Sequence, residues 1–263
     1  KSLKEKDVCF TFDDSIKCQI DIALPILEEL KIKAFFFVYT SLYEGKPEYL
    51  EVFRYFRMNY YDSVNEFYDN FYETLNINLD NFLDQNKNRI KYNKFKYPHY
   101  SIEDIKFRLV RDLYLKKKQY EKIMFELMKN KKFNYEYYLP KLFFDTIDLK
   151  NLDNLGHVIG LHSHNHPTLI EKLNYKDQKS EYLKCINVLT RILNKPQNYI
   201  KSMSHPCGSY NNHTLSILKN LGIELGFKEM MGIERQKGMK KINNSSLEIA
   251  REDHSEIFRR MNS

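Results

Sequence analysis

The sequence predicts an α/β fold with its strands parallel in a sheet or barrel, and three observations carry that prediction. A strand, a helix and a second strand follow one another over residues 8–38. The same alternation resumes from about residue 148 onward. Three of the strands also end abruptly in polar clusters, and parallel α/β folds collect functional groups at the C-terminal ends of their strands. At 263 residues, 42% hydrophobic and 29% charged, the chain can bury one large domain or a domain with a sizeable insertion.

Val8 to Phe12 is a short β-branched and aromatic run that stops at Asp13-Asp14. Ile20, Ala23, Leu24, Leu27 and Leu30 then recur at helical spacing over 16–31, with Pro25 placed to kink or break that helix. Ala34 to Val38 is the second buried strand. From 42 to 147 no strand pattern appears, only polar, Tyr- and Phe-rich helical sequence. Within it Ser101 to Asp104 reads as a helix start with acids in the first turn, and Ile105, Leu109, Leu113 and Tyr114 continue its apolar face. This stretch is too long for a loop and is read as a helical insertion between strands two and three. His157 to Leu161 is the third strand, ending in His162-Ser163-His164-Asn165-His166. An amphipathic helix follows over 175–193, with Tyr182, Ile186, Leu189 and Leu193 on one face. Next come a strand near 199–204, the turn His205-Pro206-Cys207-Gly208, a helix over 211–221 and a strand over 223–227. A last strand over 246–250 meets Arg251 and, three residues on, His254.

Composition excludes some partners. The formal charge is +7, but the lysines are scattered, with short runs at Lys116 to Lys118 and Lys129 to Lys132, as on solvated helix faces. No aromatic-basic alternation appears, so nucleic acid is not an expected partner. The four cysteines form no CxxC pair, and Cys9 and Cys185 lie in apolar runs as core thiols. That pattern favours a reducing, cytoplasmic compartment. No apolar run reaches the length of a transmembrane segment, and no signal peptide is visible.

Two histidines and a carboxylate bind zinc or a similar ion while leaving positions for water and substrate. His162 and His166 are four residues apart, with His164 a third candidate. Adjacent aspartates diverge along an extended strand, so one can ligate while its neighbour addresses the water. A metal lowers the pKa of water from about 15.7 towards roughly 7, and a nearby carboxylate can take the proton. The set points to a hydrolase for a carbonyl substrate. Other polar residues have plainer readings: Arg251 and Asp253 as an ion pair closing a barrel, and His99, His157 and His213 as structural.

Thr11-Phe12-Asp13-Asp14 and His162-Ser163-x-x-His166, the latter preceded by Gly160, resemble the first two motifs of the polysaccharide deacetylases (the NodB homology domain, carbohydrate esterase family four). The resemblance implies a distorted (β/α) barrel of the glycoside hydrolase/deacetylase type, formed by 1–41 and 148–263, with 42–147 as a helical insertion. It implies Asp13 as catalytic base, Asp14, His162 and His166 as ligands of a divalent metal, usually Zn2+, and Ser163 as loop support. His164 falls on a variable position. Ser204 to Gly208 resembles the third motif, which makes the Cys207 backbone N–H an oxyanion donor. The motif's arginine, which in some members orients the catalytic aspartate, is replaced by Ser204. The usual leucine-x-histidine motif with its general acid is not evident; Arg251 and His254 are the nearest candidates, with His205 a third. The implied reaction removes N-acetyl, or in second place O-acetyl, groups from a carbohydrate. The alternatives are a catalytically impaired carbohydrate-binding module and a metal-dependent amide hydrolase for a non-sugar substrate. The insertion is expected to wall or lid the cleft, or to serve a homo-oligomer or a glycan-assembly partner.

Overall fold

The structure, a computed structural model, describes residues 8–46, 49–229 and 243–262. Its packing divides the chain into two compact units. The first holds 8–46, 140–229 and 243–251 and contains the sheet. Five strands, β1 (Thr11–Phe12), β2 (Phe35–Val38), β3 (Val158–Leu161), β4 (Ser202–Ser204) and β5 (Leu225–Phe227), run parallel in the order β1-β2-β3-β4-β5. Where sequence predicts a sixth strand over 246–250, Ile249 makes a single parallel bridge to Phe227.

Alternate residues of β2 show how this sheet is curved. Phe35 and Phe37 each lie 5.3 Å, ring to ring, from Phe227, although β2 and β5 are not neighbours in the sheet. Such contact needs a sheet curled around its own interior, so the distorted barrel expected from sequence takes the form of a curled half-barrel. Phe36 and Val38 point the other way, into a core with Leu149 and Leu152 of the helix Thr146–Asn154 and with Tyr182, Ile186 and Leu189 of the helix Tyr175–Leu193. That long helix starts where the Asn174 side chain accepts the Asp177 N–H and stops at left-handed Asn194. Gly160 faces the interior: a Cβ there would sit 2.6 Å from the Phe37 ring and 2.7 Å from Ser202 Oγ. The helix expected over 16–31 is a π turn at Gln19–Ala23 that runs directly into Leu24–Glu29, with Ala23 and Leu24 both in the right-handed helical region. Pro25 therefore sits in the first turn of the α segment rather than breaking the helix. Cys185 is a core thiol, but Cys9 is exposed, because β1 is an edge strand that pairs over two residues only.

The second unit holds 49–139 and 252–262. Its described residues between 49 and 139 are helical, without a strand. Much of the chain's aromatic content packs here: Phe107 meets Phe67 and Phe71 with ring centres 5.4 and 5.0 Å apart, and Phe53 meets Tyr120 at 5.4 Å. Ser101 does cap a helix, Ile102–Leu109, by accepting the Asp104 N–H. Ile105 and Leu109 are buried as expected, but Leu113 and Tyr114 are 38% and 39% exposed. A π turn over Val110–Tyr114 inserts an extra residue and rotates them off the apolar face. Among the described residues no helix is long and apolar enough to cross a membrane.

Candidate metal centre and carboxylate site

Three strand ends of the first unit converge. Asp14 Oδ1 lies 3.2 Å from both His162 Nε2 and His166 Nε2, and the two nitrogens are 3.2 Å apart. The carboxylate reaches this position because the chain leaves β1 through left-handed residues, Asp14 at φ 74° and Ser15 at φ 58°. The strand is therefore not extended where the two aspartates diverge. Asp13 points back to the interior, its Oδ2 4.0 Å from His162 Nε2.

The triangle fits a divalent metal. Tetrahedral ligands at 2.0–2.2 Å from zinc stand about 3.3 Å from one another, close to the three edges observed. His162 Nδ1 donates to the Ser204 carbonyl at 2.9 Å, which fixes the tautomer and turns the bare Nε2 towards Asp14. Asp14 Oδ1 is buried, and what it faces is the pair of imidazole nitrogens. Burial alone would raise the Asp14 pKa, yet the imidazoles of His166 and His162 bring it well below the ordinary value. His162 shows the converse, burial being outweighed by Asp13 and Asp14 so that its pKa rises. The centre is built to hold positive charge between the rings and the carboxylate.

Asp13 is held from the far edge of the sheet. Arg251 Nη1 donates to its Oδ1 at 2.9 Å and Nη2 to its Oδ2 at 2.7 Å, a bidentate fork, and Ser204 Oγ donates to Oδ2 at 3.1 Å. The guanidinium also reaches Thr11 Oγ1 at 3.0 Å and Ser204 Oγ at 3.0 Å, while its Nε is tied to the Lys228 carbonyl at 2.6 Å. Burial pushes the Asp13 carboxyl up, and the charge of Arg251 more than reverses this. Arg251 lies just beyond the Ile249 bridge to β5 and pairs with the residue after β1, so this ion pair spans the two edges of the curled sheet. Its partner is Asp13, not the Asp253 suggested by proximity in sequence. Its pKa is raised, burial being outweighed by Asp13, so it keeps its proton.

The loop after β3 is braced twice. Ser163 and His166 both have positive φ, 63° and 50°, and Ser163 Oγ accepts the His166 N–H at 3.1 Å. Glu181, on the helix Tyr175–Leu193, accepts the N–H groups of His164 and Asn165 at 3.1 and 2.7 Å and the Asn165 side chain at 2.6 Å. Nothing in the local sequence marks Glu181 for this. His164 turns away, its Nδ1 2.9 Å from Thr40 Oγ1. In the turn after β4, Cys207 is left-handed at φ 51°, and Gly208 follows at φ 66° where a Cβ would come within 2.9 Å of Glu229. His205 is stacked on Tyr210 with its Nε2 2.8 Å from the Leu247 carbonyl. Burial pushes its pKa down to about 4, so at neutral pH its single N–H is committed to that carbonyl. His254 belongs to the second unit and is 94% exposed at the start of the helix His254–Met261. His157 is structural, its Nδ1 accepting the Ala34 N–H at 3.1 Å.

A model of the polysaccharide deacetylase family matches residues 1–56 and 110–226. Among solved structures, the Streptococcus pyogenes deacetylase PplD, determined in complex with acetate, aligns with a TM-score of 0.51 at 18% identity. That alignment covers 95% of this chain and 65% of PplD. A de-N-acetylase from Aggregatibacter actinomycetemcomitans aligns with a TM-score of 0.50 at 14% identity, covering 98% of this chain and 76% of that one. At such identities the likeness is one of fold, and this chain spans just under two thirds of PplD. No curated protein matches the sequence.

Proposed function

We propose, since the chain belongs to the polysaccharide deacetylase family, that it hydrolyses acetyl groups from an N-acetylated carbohydrate and releases acetate. The single observation that carries this reading is the division of labour between adjacent aspartates: Asp14 completes a ligand triangle with His162 and His166, while Asp13 beside it is held by Arg251 and Ser204. A divalent cation held by Asp14, His162 and His166, with zinc the best match to an N2O donor set, would acidify water and polarise a carbonyl oxygen. Asp13, ionised and fixed in orientation, accepts the proton of the attacking water. Arg251 is a positioning residue for Asp13 and not a proton donor. The Cys207 backbone N–H is the assigned donor to the oxyanion that forms on the acetyl carbonyl. Ser163 and Glu181 keep His166 and its loop in place. The acetate seen in PplD matches the product of such a reaction.

The motif-three arginine is missing, which by itself would favour an impaired binding module. Arg251 provides the guanidinium from another strand end, and this weighs for catalysis. On the same reading 42–147 is a helical insertion into a barrel formed by 1–41 and 148–263. The family match skips 57–109 and the packing unit changes at 49 and 140, which supports an insertion. The match resumes at 110, however, and residues 252–262 pack with the second unit, so these bounds are narrower than 42–147 and the barrel part ends before 252.

The test is acetate release from a panel of N-acetylated sugars and oligosaccharides, metal-stripped and zinc-loaded, with Asp13→Asn in parallel. Zinc-dependent release that Asp13→Asn abolishes while metal still binds is the expected result. Stoichiometric metal without release from any sugar would transfer the activity to a non-sugar amide, and failure to bind metal would leave a binding module.

A further inference from the structure

The second unit has a basic and apolar face that deacetylation does not call upon. The helix Lys87–Lys96 carries Lys87, Arg89, Lys91, Lys94 and Lys96, contains no acidic residue and buries none of its side chains. Ile90 and Phe95, joined by Ile102 from the next helix, floor a cleft of about 550 Å³. Lys87, Lys91 and Lys106 stand around that floor. Tyr92, Phe95 and Ile102 are 51%, 46% and 41% exposed, an unusual concentration of large apolar groups among lysines. Lys94 anchors the arrangement by donating to the carbonyls of Pro98 and Tyr100 at 2.8 and 2.6 Å. Asp84 pairs with Lys87 at 3.0 Å and Glu103 with Lys106 at 2.9 Å, which offsets two of these charges; the four lysines lining the cleft outnumber the two carboxylates, so the face is net positive.

We propose that this face docks on an anionic phospholipid surface, its lysines at headgroup level and Phe95, Ile90 and Ile102 among the upper acyl chains. Charge complementarity selects an anionic partner, and the cleft lining selects an amphiphile. Every described residue lining the cleft is Lys, Ile or Phe. A nucleic acid or acidic glycan would satisfy the lysines but leave the floor wet, and no amide or carboxylate side chain lines the cleft to read sugar hydroxyls. Lysine stems also extend apolar contact while their ammonium groups stay in water, which suits them to the rim of such a contact.

The experiment is co-sedimentation of the full chain with phosphatidylglycerol–phosphatidylcholine vesicles and with phosphatidylcholine vesicles alone. Binding is expected only to the anionic vesicles, and it should weaken as salt rises from about 0.1 M to about 1 M. Each lysine at such a surface is worth roughly fivefold, so Lys87→Gln/Lys91→Gln/Lys106→Gln should bind about a hundredfold more weakly. Phe95→Ser should cost about tenfold by removing apolar insertion. These positions are exposed or half-buried, and unchanged melting curves would show that the variants fold. Equal binding to neutral vesicles, or a triple variant that binds like the parent, overturns the proposal. So does complete displacement from the vesicles by a soluble polyanion with Phe95→Ser binding like the parent, which would mark a purely electrostatic contact without apolar insertion. None of these readouts depends on the deacetylation reading.

Discussion

Replacing Arg251 by methionine removes the fork that holds Asp13 while leaving every metal-ligand candidate in place. Asp13 loses two hydrogen bonds, of 2.9 and 2.7 Å, and keeps only the Ser204 hydroxyl, while the Lys228 carbonyl, Thr11 Oγ1 and Ser204 Oγ each lose their bond to the guanidinium. The Arg251 and Asp13 side chains are 14% and 24% exposed. Removing one partner of a fully buried pair costs about 3–5 kcal/mol, and the remaining exposure and the Ser204 bond reduce this to about 2 kcal/mol of stability. The catalytic effect should be larger than the structural one, because a carboxylate free to rotate by about an ångström costs about a hundredfold in kcat. Arg251→Lys keeps the charge but not the planar fork and should recover about tenfold of that loss. Acetate release gives kcat and KM, and a chelator competition gives metal affinity. The expected pattern is a fall in kcat with little change in KM and unchanged metal affinity. An Arg251→Met enzyme within threefold of wild-type kcat, or one whose metal affinity falls in step with kcat, would refute the positioning role.

Glu181→Ala should weaken metal binding about tenfold by releasing the loop that carries His166, and chelator competition reads this directly. Gly160→Ala should destabilise the protein by about 1–3 kcal/mol in urea, because the new Cβ meets the Phe37 ring and Ser202 Oγ inside the half-barrel. His205 makes stability depend on pH. Its pKa is about 4 when folded against 6.5 when free, so above 6.5 both states are neutral, and as pH falls the unfolded chain gains a proton that the folded chain refuses. The associated stability, about 3 kcal/mol, is lost progressively between pH 6.5 and about 4. His205→Gln, which can keep a donor to Leu247, should flatten that part of the urea-midpoint curve.

Much of the site was legible because its ligands come in short local patterns. A short apolar run ending in Asp13-Asp14 and another ending in His162 to His166 are statements about adjacent residues, and brief β-branched and aromatic runs bounded by polar turn residues mark strands. The helix over 175–193 and the cap at Ser101 were readable for the same reason. Tertiary structure decided what depends on distant partners. Arg251 lies 238 positions from Asp13 in sequence and meets it only because the sheet curls until its two edges approach each other. Proximity in sequence suggested Asp253 instead. Glu181 reads as an ordinary surface acid of an amphipathic helix until packing brings it beneath the backbone N–H groups of the histidine loop. Cys9 looked like core because its neighbours are apolar, yet whether a strand residue is buried depends on what pairs beside it. The sequence by itself therefore determined which groups are delivered to the rim of the sheet, since that follows from short-range pattern. Only the tertiary structure decided which group holds which, because hydrogen-bond and ion-pair partners are selected by the curvature of the sheet and the packing of helices against it.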